Sequence, residues 1–176
     1  MMTKYTDFLI KSFGRVILTA TDFGLSQVIF PDMTQGEVER AKLALMDAQR
    51  DIKRFENVIE TLSRYFAGER VEFTDILVDL SNCRQFQRDV LNVTRQIPYG
   101  EVRTYKWIAE YLGKARSLAT SATASRQVGQ ALARNPVAII IPCHRVIGSS
   151  GSLTGYGLGL SMKRQLLMME GSFSHK

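Results

Sequence analysis

The 176 residues include only two cysteines, Cys83 and Cys143, two histidines, one tryptophan and four prolines. Two thiols far apart in the chain make neither a disulfide framework nor a cysteine-rich metal site. A single Cys83–Cys143 bridge is the one pairing they allow, and a reducing compartment leaves both as free thiols. No stretch reaches the roughly 20 apolar residues that a membrane-spanning helix needs. The opening Met1-Met2-Thr3-Lys4-Tyr5-Thr6-Asp7 lacks the basic-then-apolar-then-small order of a secretory signal. A soluble, intracellular protein without membrane attachment is therefore expected. Internal repeats and long linkers are also missing. With 45% apolar and 23% charged residues the composition is that of a folded chain, long enough for one compact domain or two small ones sharing an interface.

Charge of one sign is scarce in the second half. Residues 1–80 carry ten Lys/Arg against thirteen Asp/Glu, a net of −3. Residues 81–176 carry thirteen Lys/Arg against Asp89, Glu101, Glu110 and Glu170, a net of +9. A basic surface of this size faces either a polyanion, DNA or RNA being the usual one, or nothing in particular.

The first thirty residues read as a three-stranded antiparallel meander. Tyr5–Lys11, Arg15–Ala20 and Leu25–Phe30 are rich in β-branched and aromatic residues, with turns at Ser12-Phe13-Gly14 and Asp22-Phe23-Gly24. From Gln35 to Ala67 the pattern is helical, in two pieces. Ile52, Phe55, Val58, Ile59, Leu62, Tyr65 and Phe66 share one face, Gly68 stops the helix, and Val71–Leu80 follows as an extended connector. A second region starts near Ser81 with a helix carrying Phe86, Val90, Leu91, Val93, Thr94 and Ile97, ended by Pro98-Tyr99-Gly100. Thr104 caps a helix whose inner face is Trp107, Ile108, Tyr111 and Leu112, with Gly113 as its stop. Arg126–Arg134 is the next helix, with Val128, Ala131 and Leu132 inward. Two short helices in a basic region resemble a helix-turn-helix, although their link is longer than the usual three or four residues. Val137–Ile141 reads as a buried extended segment, Ser149–Gly159 as a loop, Leu160–Glu170 as a final helix and Gly171–Lys176 as a mobile tail.

Cys143 and His144 carry the chemistry. A free thiol with a pKa about 8.5 is mostly protonated at neutral pH, and a nearby imidazole can take the proton directly or through a water. A carboxylate on the far ring nitrogen fixes the tautomer and stabilises the imidazolium. His144 is the one histidine besides His175, and Glu170 is the one acidic residue after Glu110, so these two are the candidate base and its partner. Pro142 fixes the backbone before the nucleophile. The competing reading is a structural cysteine beside a hydrogen-bonded core histidine, with Glu170 a surface carboxylate at a helix end.

The run Asn135-Pro136-Val137-Ala138-Ile139-Ile140-Ile141-Pro142-Cys143-His144-Arg145-Val146-Ile147-Gly148 resembles the active-site signature of the O6-alkylguanine-DNA alkyltransferases, the methylated-DNA–protein-cysteine methyltransferases. Phe86-Gln87, Ile97-Pro98-Tyr99-Gly100-Glu101-Val102-Arg103-Thr104-Tyr105 and Arg126-Gln127-Val128-Gly129 precede it in the family's order. Ser152-Leu153-Thr154-Gly155-Tyr156-Gly157 and Lys163, Leu166-Leu167 and Glu170-Gly171 follow. The resemblance implies an α+β fold: an N-terminal antiparallel sheet with helix, ribonuclease H-like, over residues 1–80, and a C-terminal helical domain like a winged helix-turn-helix over residues 81–176. It implies a direct-reversal repair protein acting on double-stranded DNA that contains O6-alkylguanine, and also O4-methylthymine. The alkyl group passes irreversibly to Cys143, one lesion per molecule, with no metal or cofactor. By the same resemblance His144 and Glu170 activate Cys143, and Asn135 holds its turn. Tyr105 rotates the nucleotide, binds the base and supplies a proton, while Tyr156 and Gly157 close the pocket. Arg126 takes the place of the flipped nucleotide in a minor-groove docking mode, and Lys106 and Ser149 contact phosphates. A monomer is expected, cytoplasmic, or nuclear in a eukaryote, and destabilised once alkylated.

Three departures from the family pattern stand out. Gly113–Thr123 is longer than the usual link, Leu158 stands where the pocket loop has a second glycine, and Ala138 replaces a common proline. Leu158 is expected to narrow the pocket against bulky O6-benzyl groups, and Ala138 to relax one wall. Trp107 is read as core and Cys83 as a bystander thiol. Two rival functions remain in view: a DNA-binding sensor of alkylated bases, and a cysteine hydrolase using Cys143, His144 and Glu170.

Overall fold

The computed structural model describes residues 3–11, 14–31, 45–115 and 122–173. The chain divides into two compact units, Met1–Asn82 with Pro136–Ala138, and Cys83–Asn135 with Ile139–Lys176.

In the first unit, strands β1 (Lys4–Ile10), β2 (Gly14–Thr21) and β3 (Gly24–Ile29) form the expected antiparallel meander. Strand β2 lies between its neighbours in the order β3-β2-β1-β4 and is buried on both faces, with Leu18 on one and Thr19 on the other. The Thr19 hydroxyl is accommodated there by Ser26 Oγ at 2.8 Å. The fourth strand, β4 (Gln49–Arg50), pairs parallel with β1 and corrects the helical reading of that stretch. Two exposed polar residues held by backbone pairing carry no periodic signal. The earlier helical piece lies outside the described residues.

Helix α1 (Glu56–Phe66) follows a 3-10 turn, Lys53–Phe55. Phe55, Val58, Leu62 and Tyr65 are buried, whereas Ile52, placed on the same face by spacing, is exposed. Ile52 precedes the 3-10 turn, so the 3.6-residue period does not extend to it. Gly68, at φ +87°, closes the helix, its N–H donating to Tyr65 O (2.9 Å) while Glu69 N–H reaches Arg64 O (3.1 Å). Val71–Leu80 is irregular with a turn near Thr74-Asp75, and is extended only where Val78 bridges Leu25. Leu25 N–H donates to Leu77 O, and Asp79 N–H to Leu25 O, each at 2.8 Å. Gly24 is required beside that bridge, since a Cβ there would lie 2.6 Å from Leu77 O.

The second unit contains α2 (Gln85–Arg95), β5 (Arg103–Thr104), α3 (Tyr105–Ala115), α4 (Ala122–Leu132), β6 (Val146–Ile147) and α5 (Leu160–Met169). Thr104 caps α3 as read, its Oγ1 accepting from Trp107 N–H at 3.0 Å. Two details of α3 differ. It runs through Gly113 to Ala115, and its buried residues are Ile108, Ala109 and Leu112, while Trp107 and Tyr111 are 38% and 47% exposed. Those two rings cover each other, stacked with centroids 5.4 Å apart, and the Arg103 guanidinium lies 5.4 Å from the Trp107 ring. Helix α4 begins at Ala122, earlier than Arg126, and buries Val128, Ala131 and Leu132 as read. The middle of the Gly113–Thr123 link, and the end of the tail, lie outside the described residues. A short parallel ladder pairs Arg103 with Val146 and Thr104 with Ile147. It brings the start of α3 beside the chain that follows Cys143, a pairing no sequence pattern announced.

Val137–Ile141 is buried throughout but is not extended. Turns at Val137 and at Ile139 and Ile140, with Ile139 at φ +75°, alternate with single bridge positions at Ala138 and Ile141.

Two glycine substitutions separate a close approach from a strained dihedral. Gly24→Ala is expected to destabilise the protein by about 3 kcal/mol or more, because its Cβ meets backbone that cannot rotate away. Gly68→Ala has open space around it and is expected to cost about 1 kcal/mol, from φ alone. Denaturant titration of both variants checks the order.

Candidate active site

Every candidate catalytic side chain lies in the second unit, and the local geometry starts at Asn135. Three residues past the end of α4, its Nδ2 donates to Ile141 O at 2.9 Å and to Cys143 Sγ at 3.2 Å. The intervening chain folds back on itself through the left-handed Ile139. A β-branched residue in that conformation costs on the order of 1–3 kcal/mol and persists only where its surroundings hold it. Complete burial of Ile139 and the Asn135 amide supply that hold. Cys143 then opens a 3-10 turn, Cys143–Arg145, with Arg145 N–H on Pro142 O at 2.9 Å. The thiol is almost fully buried. Burial pushes it above the usual thiol range, while the Asn135 hydrogen bond and the Lys163 charge pull the other way without prevailing.

His144, Arg145 and Glu170 form a buried cluster. Glu170 Oε1 accepts from His144 Nε2 at 2.9 Å and from Arg145 Nη2 at 3.0 Å, and Oε2 accepts from Arg145 Nε at 2.9 Å. Arg145 Nη1 donates onward to Ile97 O at 2.6 Å, and its guanidinium lies 5.7 Å from the Tyr99 ring. Burial alone would raise the Glu170 carboxyl. The His144 hydrogen bond, then the hydrogen bonds and charge of Arg145, outweigh it and hold the carboxyl at about 2. Burial lowers His144 despite its carboxylate partner, so the imidazole is neutral at neutral pH. A carboxylate can only accept, so Nε2 carries the ring proton and Nδ1 is the basic nitrogen.

Tyr105 opens α3 and donates from Oη to Thr154 O at 2.8 Å, with Gly155 O at 3.1 Å. Burial raises its phenol, the Thr154 hydrogen bond partly opposing. Lys163, on the buried face of α5, donates to Val146 O (2.6 Å) and Thr154 O (2.9 Å), and stands 3.5 Å from Tyr105 Oη. Its burial lowers the ammonium to about 8, against the pull of Cys143. The Tyr156 ring meets His144 edge-on at 6.4 Å, while Gly157 is exposed and Leu158 buried.

The structure therefore gathers Cys143, His144, Glu170, Asn135, Tyr105 and Tyr156 into one region. Arg126, Lys106 and Ser149 are exposed instead, Lys106 standing 3.7 Å from Glu110. Sequence reasoning gave Arg145 and Lys163 no role. The available signal for Lys163 was its spacing: with Leu166, Leu167 and Glu170 it falls on the inner stripe of the last helix. Among the described residues, no group of three or more His, Cys, Asp or Glu is placed to hold a metal ion, and no helix is long and apolar enough to cross a membrane.

Comparison with known proteins identifies the family. Residues 5–80 match the 6-O-methylguanine DNA methyltransferase ribonuclease-like domain, and residues 85–172 match the DNA binding domain of the same family. A methylated-DNA–protein-cysteine methyltransferase of Methanosarcina acetivorans is 41% identical over 160 residues, 90% of this chain and 93% of that protein. One of Mycolicibacterium paratuberculosis is 49% identical over 118 residues, 67% of this chain, and the match spans 66% of that relative's length. The crystal structure of Mycobacterium tuberculosis OGT in complex with DNA superposes with a TM-score of 0.76 at 36% identity, covering 98% of this chain and 94% of that one. The chain belongs to the 6-O-methylguanine DNA methyltransferase family, whose two-domain α+β fold it shares.

The buried cluster sets an acid limit. Glu170 at about 2, against 4.5 unperturbed, stabilises the fold fully above pH 4.5, and the contribution is lost as pH falls through 2. His144 adds in the same direction, because below its ordinary 6.5 the unfolded chain takes a proton that the buried ring refuses. Stability is expected to fall by about 3 kcal/mol or more between pH 7 and pH 2. Glu170→Gln should lose about 3–5 kcal/mol at pH 7, since it strands Arg145, and should flatten the slope between pH 4.5 and 2. Urea midpoints measured across pH check both.

Proposed function

We propose that this protein repairs DNA by moving the alkyl group of O6-alkylguanine onto Cys143 Sγ, irreversibly and once per molecule. The observation that carries the reading is an Asn135-held thiol adjoining, in one buried turn, a neutral His144 whose Nε2–H is fixed by Glu170 and whose Nδ1 is left as the basic nitrogen. Relatives bearing the name methylated-DNA–protein-cysteine methyltransferase support it.

His144 Nδ1 takes the Cys143 proton, across a water if need be, and Glu170 stabilises the imidazolium. The sulfur attacks the alkyl carbon in line. An S–C bond forms, the C–O6 bond breaks, and its electron pair moves onto guanine. Tyr105, kept protonated by its burial, gives its phenolic proton to the departing base, and the Lys163 ammonium 3.5 Å away stabilises the phenolate left behind. The product is a thioether with no good leaving group, so the cysteine is not regenerated. The chemistry calls on no metal or cofactor.

The partner is double-stranded DNA. Arg126, exposed on α4, fills the gap left by the flipped nucleotide, which costs a few kcal/mol and least for a poorly paired damaged base. Lys106 and Ser149 engage phosphates, and Tyr156 with Gly157 closes over the base. O4-methylthymine is a second substrate on the same chemistry. Residues 1–80 serve as scaffold, and residues 81–176 bind DNA and accept the alkyl group. All groups of the proposed reaction come from one chain, which fits a monomer, and a DNA substrate places its work in the cytoplasm, or in a eukaryotic nucleus.

Incubation with duplex DNA containing O6-methylguanine, followed by intact and peptide mass measurement, tests this against a sensor and a hydrolase. A single methyl on the Cys143 peptide is expected. No mass change, or turnover beyond one equivalent, overturns it. Cys143→Ala should abolish transfer and leave DNA affinity within about twofold, whereas Arg126→Ala should slow transfer roughly tenfold more than it weakens binding.

A further inference from the structure

Tyr156 Oη is buried and has no hydrogen-bond partner among the described residues. Buried hydroxyls are nearly always paired, and one left open costs free energy in the resting state. Its ring stands edge-on to His144, in the same part of the site as Cys143. The titratable and charged groups around that space come from every element packed there: Tyr105 from α3, Lys163 from α5, Glu170 at its end, and His144 and Arg145 beside Cys143. Tyr105 and Lys163 are committed to the carbonyls of Thr154 and Gly155, and Arg145 to Glu170 and Ile97. Among the described residues the Cys143 sulfur has one side-chain donor, Asn135 at 3.2 Å, and the backbone N–H groups of Cys143 and His144 also favour its thiolate. A neutral thiol is satisfied by one. A thiolate has lone pairs for more, and it is the thiolate that burial disfavours here.

We propose that Tyr156 Oη is a reserve hydrogen-bond donor for the Cys143 thiolate, idle while the thiol is protonated and engaged, directly or across one water, when the proton leaves. A donor without a ground-state partner gives up nothing when it turns to the sulfur, so its whole contribution falls on the reactive state. Burial, followed by the charges of Cys143 and Glu170, keeps the phenol well above its ordinary range, so it is present as a donor whenever the thiolate forms. The inference rests on Cys143 being the acceptor of the proposed function, but its test needs no DNA.

The experiment compares the full-length protein with Tyr156→Phe, which deletes the hydroxyl and little else. Iodoacetamide labelling of Cys143 is followed against pH by peptide-resolved mass measurement, which keeps Cys83 apart. The midpoint of the Cys143 profile should rise by about one pH unit in the variant, as expected for losing a hydrogen bond to a charged group. Above that midpoint the variant should react about threefold faster, its sulfur being the more basic nucleophile. Transfer from O6-methylguanine DNA at neutral pH should slow about threefold, a tenfold smaller thiolate fraction being partly offset by a more basic, more nucleophilic sulfur. The thermal midpoint should hold or rise, because an unpaired buried hydroxyl has gone. An unshifted profile overturns the proposal, and if transfer is slow all the same, the hydroxyl serves the base rather than the sulfur. A fall in thermal midpoint also overturns it, since the hydroxyl then had a partner in the resting fold. Should DNA transfer fail in both proteins while the profile still shifts, the function reading falls and the donor role stands.

Discussion

A single carboxylate organises the reactive end of this molecule. Glu170, just past the end of α5, is bound on one oxygen by His144 and Arg145 and on the other by Arg145 again. Burying such a cluster is expensive, and apolar side chains of the same volume often stabilise a fold as well or better. What the ions provide is direction. Arg145 carries the carboxylate's hold onward to Ile97 O, beyond the end of α2. His144 is fixed in ring orientation and tautomer by the same oxygen. Remove the carboxylate, and a buried guanidinium loses its counter-charge and the imidazole loses its reference.

The thiol side of the site is governed by restraint. Burial makes Cys143 less acidic than a free thiol, and His144 less basic than a free imidazole. Both shifts favour the neutral forms at rest. For a residue that acts once, this is consistent with the proposed chemistry: a standing thiolate would be spent on any small electrophile. Reactivity then has to come from groups that favour the charged state specifically. The Asn135 amide, the Lys163 ammonium and two backbone N–H groups are in place already, and the open Tyr156 hydroxyl is the further donor proposed.

Much of this was readable from residues, and the failures have physical causes. The meander was legible because its strands alternate and its turns carry glycine. The pairing of His144 with Glu170 was legible because each had almost no competitor of its type. Strand β4 was not, since two polar residues paired through backbone leave no periodic trace. The inner face of α3 was misread because Trp107 and Tyr111, apolar at helical spacing, satisfy each other by stacking outside the core. Val137–Ile141 was read as extended from its β-branched run. Its left-handed Ile139 goes with the closure that Asn135 makes onto Ile141 O, six residues further on, which local propensity cannot anticipate. Lys163 escaped notice for a related reason: a lysine on an apolar stripe looks like a defect until three carbonyls are found converging on its nitrogen.

Those carbonyls bear on how the proposed site opens and closes. Thr154 and Gly155, just ahead of Tyr156, offer their oxygens to both Tyr105 and Lys163. The phenol that would donate a proton to guanine is thus tethered, at rest, to the loop that would close over the base. Binding a nucleotide through Tyr105 requires the phenol to leave Thr154 O, and the loop then keeps only Lys163 as its anchor there. Lys163 also holds Val146 O, in the short ladder beside Cys143. In the proposed reaction, base recognition, loop position and the ground behind the sulfur would therefore be connected through one ammonium. A glycine-rich loop would follow the base with little resistance, whereas here Leu158, buried two residues beyond Tyr156, gives the loop a second, apolar hold. In the proposed reaction, discrimination among alkyl groups would then depend on how far that hold yields as well as on the width of the pocket, which would make Leu158 more than a filler of space.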